Sequence, residues 1–423
     1  MLQGPLRSTS ARRLILAAAV GGCVLRLAFG LLYWNARPLT HDEREYLELA
    51  GSLAAGQGFH YPAPPPGAPA EERYGRAPLY PAFLAGVQLA GGTERLLRNV
   101  RIAQSIVGAL AILGLAAIAR RAAGPRAGVA AAWLVAIYPP FVWTSAFVLT
   151  EGLYIALAAA VVLVLGRAID GSPPPSASTS RDASIGIGAG LLAGAAVLVR
   201  PAMLFFLLLA GLWLLARRRF ALCAALAVAS LVVVGPWTAR NYATSGRPIL
   251  VASEGGLTFW TGNHPLSRGE GDLAANPALK LESRRLRAAH PGLSEEALEP
   301  VYYREALHAI AADPAWWVGL LARKLVYTFV PLGPSYTLHS GLYRAGSIVP
   351  YLLVLPFGLA GLGRTRREGT WPRALVLFAA SAVLVCVLFL PQERFRLSGI
   401  DPALVVGAAV WGALWTDRRR LRT

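Results

Sequence analysis

The feature that most constrains this chain is a series of ten mostly apolar runs, each 16 to 21 residues long. A helix that crosses the ~30 Å hydrocarbon core of a bilayer needs about 20 such residues. Charged residues make up only 15% of the chain, against about 25% in soluble domains. We therefore predict an all-α polytopic membrane protein with about 10 transmembrane helices, at 14–33, 99–119, 127–146, 148–168, 184–199, 201–216, 220–236, 343–363, 373–391 and 398–416.

The distribution of basic residues predicts the orientation of these spans. With the N-terminus in the cytoplasm, the inner segments hold 19 of the 41 Lys and Arg residues but only four of the 23 Asp and Glu residues. Basic residues that flank spans stay on the cytoplasmic side. Both termini are therefore predicted to be cytoplasmic, in the inner membrane of a bacterium. Most of the formal charge of +18 reflects topology, so no nucleic-acid partner is expected.

This topology divides the chain into three parts. Residues 1–236 form a transmembrane module with a first outer loop at 34–98; a large outer loop follows at 237–342, and the remainder, 343–423, holds the last helices and a basic tail. All six histidines and most acidic residues lie in the outer segments. Any chemistry is therefore expected on the outer face.

Five features of the apolar and loop segments can be interpreted from the sequence. Arg200-Pro201 between two short runs predicts a tight helical hairpin, since Pro fits the first turn of a helix. The segment 316–333 carries Arg323 and Lys324 at its centre, so we expect an interfacial helix in preference to a span. Arg26, inside the first run, either snorkels outward or faces the bundle. Proline-rich 62–70 and Ser/Pro-rich 171–180 are predicted to be loop and flexible linker.

Cysteine spacing excludes two kinds of site. Each of the three cysteines lies inside an apolar run, at positions 23, 223 and 386. They form neither a disulfide framework nor a CxxC metal motif.

Acidic residues follow the first span directly. Thr40 is a plausible N-cap for a helix lying on the membrane, with Asp42 and Glu43 in its first turn. Carboxylates there stabilise a helix by themselves, which is one interpretation. The other is catalytic, because Arg44 and Arg76 in the same loop would keep a general base ionised.

Several arginines reach the predicted outer face against the positive-inside trend. Snorkelling to lipid headgroups explains some of them, and a bound phosphate would explain them as a set, since guanidinium groups donate forked hydrogen bonds to phosphate. Glu151, which opens the fourth span, needs a partner or a cavity. The arginines are 44, 76, 200, 240, 394 and 396.

A series of short motifs runs along the chain in a fixed order. They are Asp42-Glu43 with Tyr46, GQGF, RAPLYP, Tyr138-Pro139, Thr150-Glu151, LVRPAM, PWTARNY, Gly262-Asn263 and QERFRLSGIDP. Together these motifs resemble those of the GT-C membrane glycosyltransferases. The most similar branch is glycosyltransferase family 39, which includes bacterial relatives of protein O-mannosyltransferases and the lipid A aminoarabinose transferase. The resemblance covers about residues 14–265 and, more loosely, the tail.

The resemblance implies an inverting transfer of a sugar from a polyprenyl-phosphate donor to a hydroxyl of a glycan, lipid or protein acceptor. Asp42 would be the base, with Glu43 supporting it. Donor-phosphate binding is implied for Arg76, with Arg44, Arg240, Arg394 and Arg396 as further candidates. Substrate contacts are expected from Tyr46, Tyr80, Glu151, Arg200, Asn241, Asn263 and His264.

Two questions stay open from the sequence. This chemistry requires no cofactor, although His41 beside Asp42 and Glu43 leaves a divalent metal as an alternative. A transporter or flippase of lipid-linked or small substrates also suits ten spans with buried charges; a non-catalytic assembly protein is a third class. An effect of Asp42 and Arg76 substitutions beyond stability would exclude the assembly protein, and a transporter would need charges along a path through the bundle.

Overall fold

The computed structural model describes residues 8–34, 37–62, 75–170, 179–331, 333–334 and 338–420. These residues form seventeen α-helices and no strand. The all-α prediction is therefore confirmed. The predicted proline-rich loop and the predicted linker lie almost entirely outside the described residues.

The ten apolar runs all lie on helices. Six helices of the described chain are long and apolar enough to cross a membrane, or seven if a pair bent by 47° counts as one span. Ten crossings are reached only when both halves of α4 and the short helices α8 and α15 are counted separately. The six are α1 (Ser8–Ala28, extended by a π turn at Phe29–Tyr33), α4 (Leu96–Ile137), α6 (Glu151–Ile169), α7 (Thr179–Val199), α9 (Phe220–Ser245) and α14 (Gly341–Arg367). The bent pair is α16 (Glu393–Gly399) with α17 (Asp401–Arg420), and the short helices are α8 (Met203–Ala216) and α15 (Arg373–Leu388).

The long helix α4 contains two of the predicted runs because the chain breaks between them. Ala123 and Gly124 leave helical geometry, and Gly124 has a φ of +80°. Non-glycine residues rarely adopt that conformation. Pro125 follows at the start of the second half, where its missing N–H costs nothing.

Arg26 faces the bundle, which settles the choice between snorkelling and burial. Its side chain lies between α1 and α4 and donates to the carbonyls of Val135 and Ala136 at 3.1 Å. These carbonyls end the second half of α4, where intrahelical partners are missing. Gly22 and Gly108 leave room for the guanidinium, since a Cβ on either would approach it within 3.1 Å and 2.7 Å.

The predicted tight hairpin around Arg200-Pro201 is wrong in its packing. The turn is short, but α7 packs along α9, while α8 packs mainly against α15. The reason is a glycine stripe on α7, Gly186, Gly190 and Gly194, where a Cβ would approach the α9 backbone within 2.9 Å. Small residues at this spacing let membrane helices pack backbone to backbone.

The two large loops hold the remaining helices. The first loop (34–98) forms α2 (His41–Ala54) and α3 (Leu79–Gly91), and α5 (Pro139–Trp143) precedes α6. The second loop (237–342) forms four helices, of which the first three surround a small apolar core of their own, while the fourth packs mainly against α15. These are α10 (Gly255–Asn263), α11 (Pro277–Ala288), α12 (Glu295–Ala312) and α13 (Pro314–Phe329).

Helix α13 covers the segment predicted to be interfacial. It is not among the helices of the described chain that are apolar enough to span a membrane. However, only one of its two cations is at the surface. Lys324 is fully buried and donates to Asn263 Oδ1 at 3.1 Å. This contact ties α13 to the end of α10.

Candidate active site

The first turn of α2 is fixed by its cap. The Thr40 hydroxyl accepts from Glu43 N at 3.4 Å, and Thr40 N donates to Glu43 Oε2 at 2.8 Å, which completes a capping box. The other oxygen of Glu43 accepts from Val148 N at 2.8 Å. Glu43 therefore anchors α2 to the chain before α6. The carboxylate left to face a cavity is that of Asp42.

Asp42 lies between two arginines from distant parts of the chain. Its Oδ1 is 2.8 Å from Arg76 Nη2, and its Oδ2 is 2.7 Å from Arg394 Nη1. Its side chain keeps 27% of its surface exposed. Burial raises the pKa of the Asp42 carboxyl, but Arg394 and Arg76 more than offset this and hold that pKa well below its ordinary value. Asp42 is therefore ionised at any physiological pH.

Arg76 is surrounded by carboxylates. Besides Asp42, it contacts Glu45 on the next turn of α2 and Glu254 Oε2 at 2.6 Å, and it lies over the ring of Tyr46. Its guanidinium is buried. The N–H donors of Arg76 already face the carboxylates of Asp42, Glu45 and Glu254. The main role of Arg76 is therefore to hold these three carboxylates together.

A second ion-pair group adjoins the first. Glu151, at the start of α6, accepts from Arg394 Nε at 2.5 Å and is 3.0 Å from Arg200 Nη1. Arg200 lies 5.1 Å from the ring centroid of Phe395. Glu151 thus has the partners that its position at a helix mouth requires. Glu151 also holds the guanidinium groups of Arg200 and Arg394 close together.

These groups form the polar end of a cavity of about 1040 Å³, called here the main cavity. Asp42, Arg76, Arg200, Arg394 and Glu254 line that end. An apolar part of the lining comes from α8, α15 and the residue that follows α15. It includes Leu204, Phe205, Val385 and Phe389.

A smaller cavity of about 490 Å³, called here the side cavity, lies on the other side of Arg76. Its walls come from the GQGF segment, the end of α9 and the chain after it. Arg240, predicted to bind the donor phosphate, lines this cavity and not the main one.

Two other predicted phosphate ligands lie elsewhere. Arg44 is exposed and donates to Leu39 O at 3.1 Å. Arg396 is buried on the far side of α16, where its Nε is 3.2 Å from Asp401 Oδ1 and its guanidinium stacks on Tyr351. The helical period explains this, since residues 394 and 396 point to different sides of one helix.

The predicted substrate contacts divide in the same way. Tyr46 and Arg200 line the main cavity. Glu151 does not line it but forms an ion pair with Arg200. The Tyr80 hydroxyl is buried and donates to Gln104 at 2.7 Å. His264 accepts from Leu266 N at 3.1 Å and lines neither cavity.

Both asparagines that were predicted to contact substrate form hydrogen bonds within the protein. Asn263 is fully buried, and its Oδ1 accepts from Trp317 Nε1 and Lys324 Nζ. Asn241 donates to Ile249 O at 3.1 Å and lines the side cavity.

Sequence reasoning missed the two further acids around Arg76. Glu45 carries a usable signal, since it follows Asp42 by three residues and so shares its helix face. Glu254 carries none, because its position depends on a contact in which Ser253 N donates to Gly75 O at 3.0 Å. That pairing brings two segments together that are far apart in sequence.

Within the described residues, no group of three or more His, Cys, Asp and Glu is arranged to hold a metal ion. The carboxylates of Asp42, Glu45 and Glu254 converge instead on the Arg76 guanidinium.

Replacing Arg76 by Gln is expected to destabilise the protein by about 3–5 kcal/mol, because the buried carboxylate of Glu45 loses its ion pair with the Arg76 guanidinium. Thermal unfolding in detergent measures this, with exposed Arg98→Gln as the control; equal losses for both variants contradict it.

Comparison with known proteins supports the sequence resemblance. Residues 76–239 match the family model of dolichyl-phosphate-mannose-protein mannosyltransferases. No curated protein matches the chain. The matched segment runs from Arg76 to the PWTARNY motif.

The fold is similar to that of larger solved proteins. One is the archaeal oligosaccharyltransferase AglB from Archaeoglobus fulgidus, in complex with an inhibitory peptide and a dolichol-phosphate. It superposes with a TM-score of 0.53 at 17% sequence identity, and the match covers 97% of this chain and 51% of that one. Its apo form gives 0.53 at 16% identity, over the same shares. ArnT from Cupriavidus metallidurans bound to undecaprenyl phosphate gives 0.44 at 16% identity, over 96% and 78%. The chain spans about half the length of the AglB structures, and the predicted GT-C fold is confirmed.

Proposed function

We propose that this polytopic membrane protein of the GT-C fold transfers a sugar from a polyprenyl-phosphate donor to an acceptor hydroxyl. The observation that carries the proposal is the Asp42 carboxylate, held ionised by Arg76 and Arg394 where the polar and apolar parts of the main cavity meet. A base for an acceptor hydroxyl and a groove for a lipid chain are thus side by side.

The shape of the main cavity supports a lipid-linked donor. An apolar part of its lining comes from α8 and α15, two apolar helices too short to be counted among the spans. An isoprenoid chain would gain about 25 cal/mol per Å² of apolar surface buried there. Dolichol-phosphate and undecaprenyl phosphate are bound in two of the similar structures.

Arg394 and Arg200 are the donor-phosphate ligands in this proposal. Both line the main cavity and share Glu151, and the Arg394 side chain keeps 30% of its surface exposed. Arginine donors that are already fixed stabilise charge as it develops on a leaving group. Arg76 is less suited to this task, because its donors face three carboxylates.

The proposed reaction is a single displacement. Asp42 accepts the proton of the acceptor hydroxyl as that oxygen attacks the anomeric carbon. The bond from this carbon to the phosphate oxygen breaks on the opposite side, so the configuration inverts. The electron pair leaves with the polyprenyl phosphate, whose charge Arg394 and Arg200 balance.

The proposed location is the outer face of a bacterial inner membrane. The concentration of Arg residues in the loops opposite Asp42 supports it, because such residues stay in the cytoplasm.

Transfer by the purified protein in lipid vesicles tests the proposal. The assay supplies labelled polyprenyl-phosphate sugars one at a time, with total membrane and cell-wall acceptors. It runs with and without EDTA, since the proposed transfer uses no cofactor. Turnover of one donor with inversion supports the function. Binding and movement of a donor across the membrane without turnover would instead identify a flippase.

Glu299 is expected to set the pH dependence of donor binding. It lines the main cavity, and burial together with nearby Glu254 and Glu296 raises its pKa to about 7, although Gly256 N–H lowers it. Above this value Glu299 carries a charge that repels an anionic donor. The phosphate monoester itself ionises with a second pKa of about 6 in both proteins, so we expect the ratio of the wild-type Kd for polyprenyl phosphate to that of Glu299→Gln to increase a few-fold from pH 6 to pH 8. A slope of the same size in both proteins contradicts this.

A further inference from the structure

The side cavity is built by two motifs that the proposed transfer does not use. Phe59 of GQGF and Trp237 of PWTARNY pack edge to face, with ring centroids 4.8 Å apart. Arg240 follows on the same helix as Trp237 and lines the cavity with them. The cavity therefore combines aromatic rings with a cation.

Arg240 is held in a fixed position. Its guanidinium lies 4.9 Å from the Trp237 ring centroid and 5.7 Å from that of Phe59. Its Nη2 donates to Phe59 O at 2.8 Å and its Nη1 to Asn241 Oδ1 at 3.3 Å. An arginine has five N–H donors, so others stay available to a ligand.

Arg247 supplies a second cation to the side cavity. It is half-buried and lines the side cavity. Its guanidinium makes no hydrogen bond or ion pair to any residue that the structure describes. Among the described lining residues, the acidic one is Glu296. Arg240 and Arg247 thus outnumber it, and an anion is favoured there.

The wall between the two cavities is firmly anchored. Trp237 Nε1 donates to Val251 O at 2.8 Å, and Thr238 Oγ1 donates to Leu250 O at 2.8 Å. The wall ends beside Arg76, which lines both cavities and contacts Asp42. A ligand in the side cavity therefore lies one side chain away from the proposed base.

We propose that the side cavity binds a negatively charged group of the acceptor glycan, a carboxylate or a phosphoryl group on a sugar. The inference rests on the proposed function and names the acceptor's chemical class. Planar guanidinium groups bind such anions through paired donors, and the rings offer apolar surface to the sugar. The donor is better suited to the main cavity, which has the apolar lining that a polyprenyl chain needs.

Direct binding tests the proposal without any turnover. The full-length protein in nanodiscs of zwitterionic lipid, with no donor added, is titrated calorimetrically with a uronic-acid disaccharide, a phosphorylated disaccharide and a neutral disaccharide. We expect an anionic disaccharide to bind at least about tenfold more tightly than the neutral one. Arg247→Gln is expected to lose at least about tenfold in that affinity, and Arg247→Lys less. Exposed Arg284→Gln on α11 is the matched control and is expected to bind like wild type.

Three outcomes overturn the proposal. Equal affinity for neutral and anionic disaccharides excludes a charge-selective site. Unchanged affinity in Arg247→Gln places the binding elsewhere. Tighter binding of soluble glycerophosphate than of either anionic disaccharide identifies a lipid headgroup as the occupant. Because the assay needs no donor, its result is separate from a failure of the proposed transfer, which shows as absent turnover of every donor by the wild type.

Discussion

Replacing Asp42 by Asn is expected to lower the rate of sugar transfer by about 10²–10⁴-fold, the usual contribution of a positioned general base. Asparagine keeps the shape of the side chain but does not accept the proton. The fold is expected to persist, because Glu43 and not Asp42 closes the capping box. Arg76 keeps Glu45 and Glu254, and Arg394 keeps Glu151. The measurement is the initial rate in reconstituted vesicles, beside Tm in detergent.

The matched control is Glu94→Gln, an exposed acid of the first loop. It is expected to transfer at the wild-type rate. An Asp42→Asn protein with a normal Tm and a normal rate would remove Asp42 from the reaction. If the variant keeps a normal Tm and the wild-type donor affinity but loses the rate of sugar transfer, Asp42 contributes to the chemical step, as proposed.

Replacing Arg394 by Gln is expected to reduce transfer by about 10²–10³-fold, the size of effect seen when one donor to a developing oxyanion is removed. Arg394 contacts both Asp42 and Glu151 at the polar end of the main cavity. Its loss removes a proposed phosphate ligand and one of the two cations that lower the pKa of Asp42. We therefore also expect weaker binding of polyprenyl phosphate and an acid limb of the rate that moves to higher pH.

Arg394→Lys and Arg98→Gln complete that experiment. Lysine keeps the charge but has no forked donors, so it is expected to recover part of the rate. Arg98 is exposed on α4 and lines neither cavity, so its substitution is expected to change nothing. Wild-type donor affinity in Arg394→Gln would exclude Arg394 as the phosphate ligand.

The class of fold was predictable because it depends on local properties. Run length and hydropathy predict helices and their placement in a membrane without any knowledge of partners. The cap of α2 was predictable for the same reason, since Thr40 and Glu43 interact across three residues. The cap places Asp42 and Glu43 together in the first turn, and the choice of Asp42 as the base came from the resemblance to the GT-C family.

Partner choice between distant segments was not predictable in this way. Six outer arginines are equivalent in sequence, yet Arg76, Arg200 and Arg394 share the polar end of the main cavity, while Arg240 lies in the side cavity. Lys324, expected at a membrane surface, is buried against Asn263. In each case the neighbour comes from another helix, and a single sequence carries no record of that neighbour.

The sequence alone therefore determined the helices, their membrane setting and the position of one carboxylate, since each follows from residues close together in the chain. The tertiary structure decided which charges meet. Arg394 and Asp42 are 352 positions apart in sequence, and their side chains are 2.7 Å apart. Ion pairing falls steeply with distance and with exposure to water, so the packing of α2, α6 and α16 selects the partners.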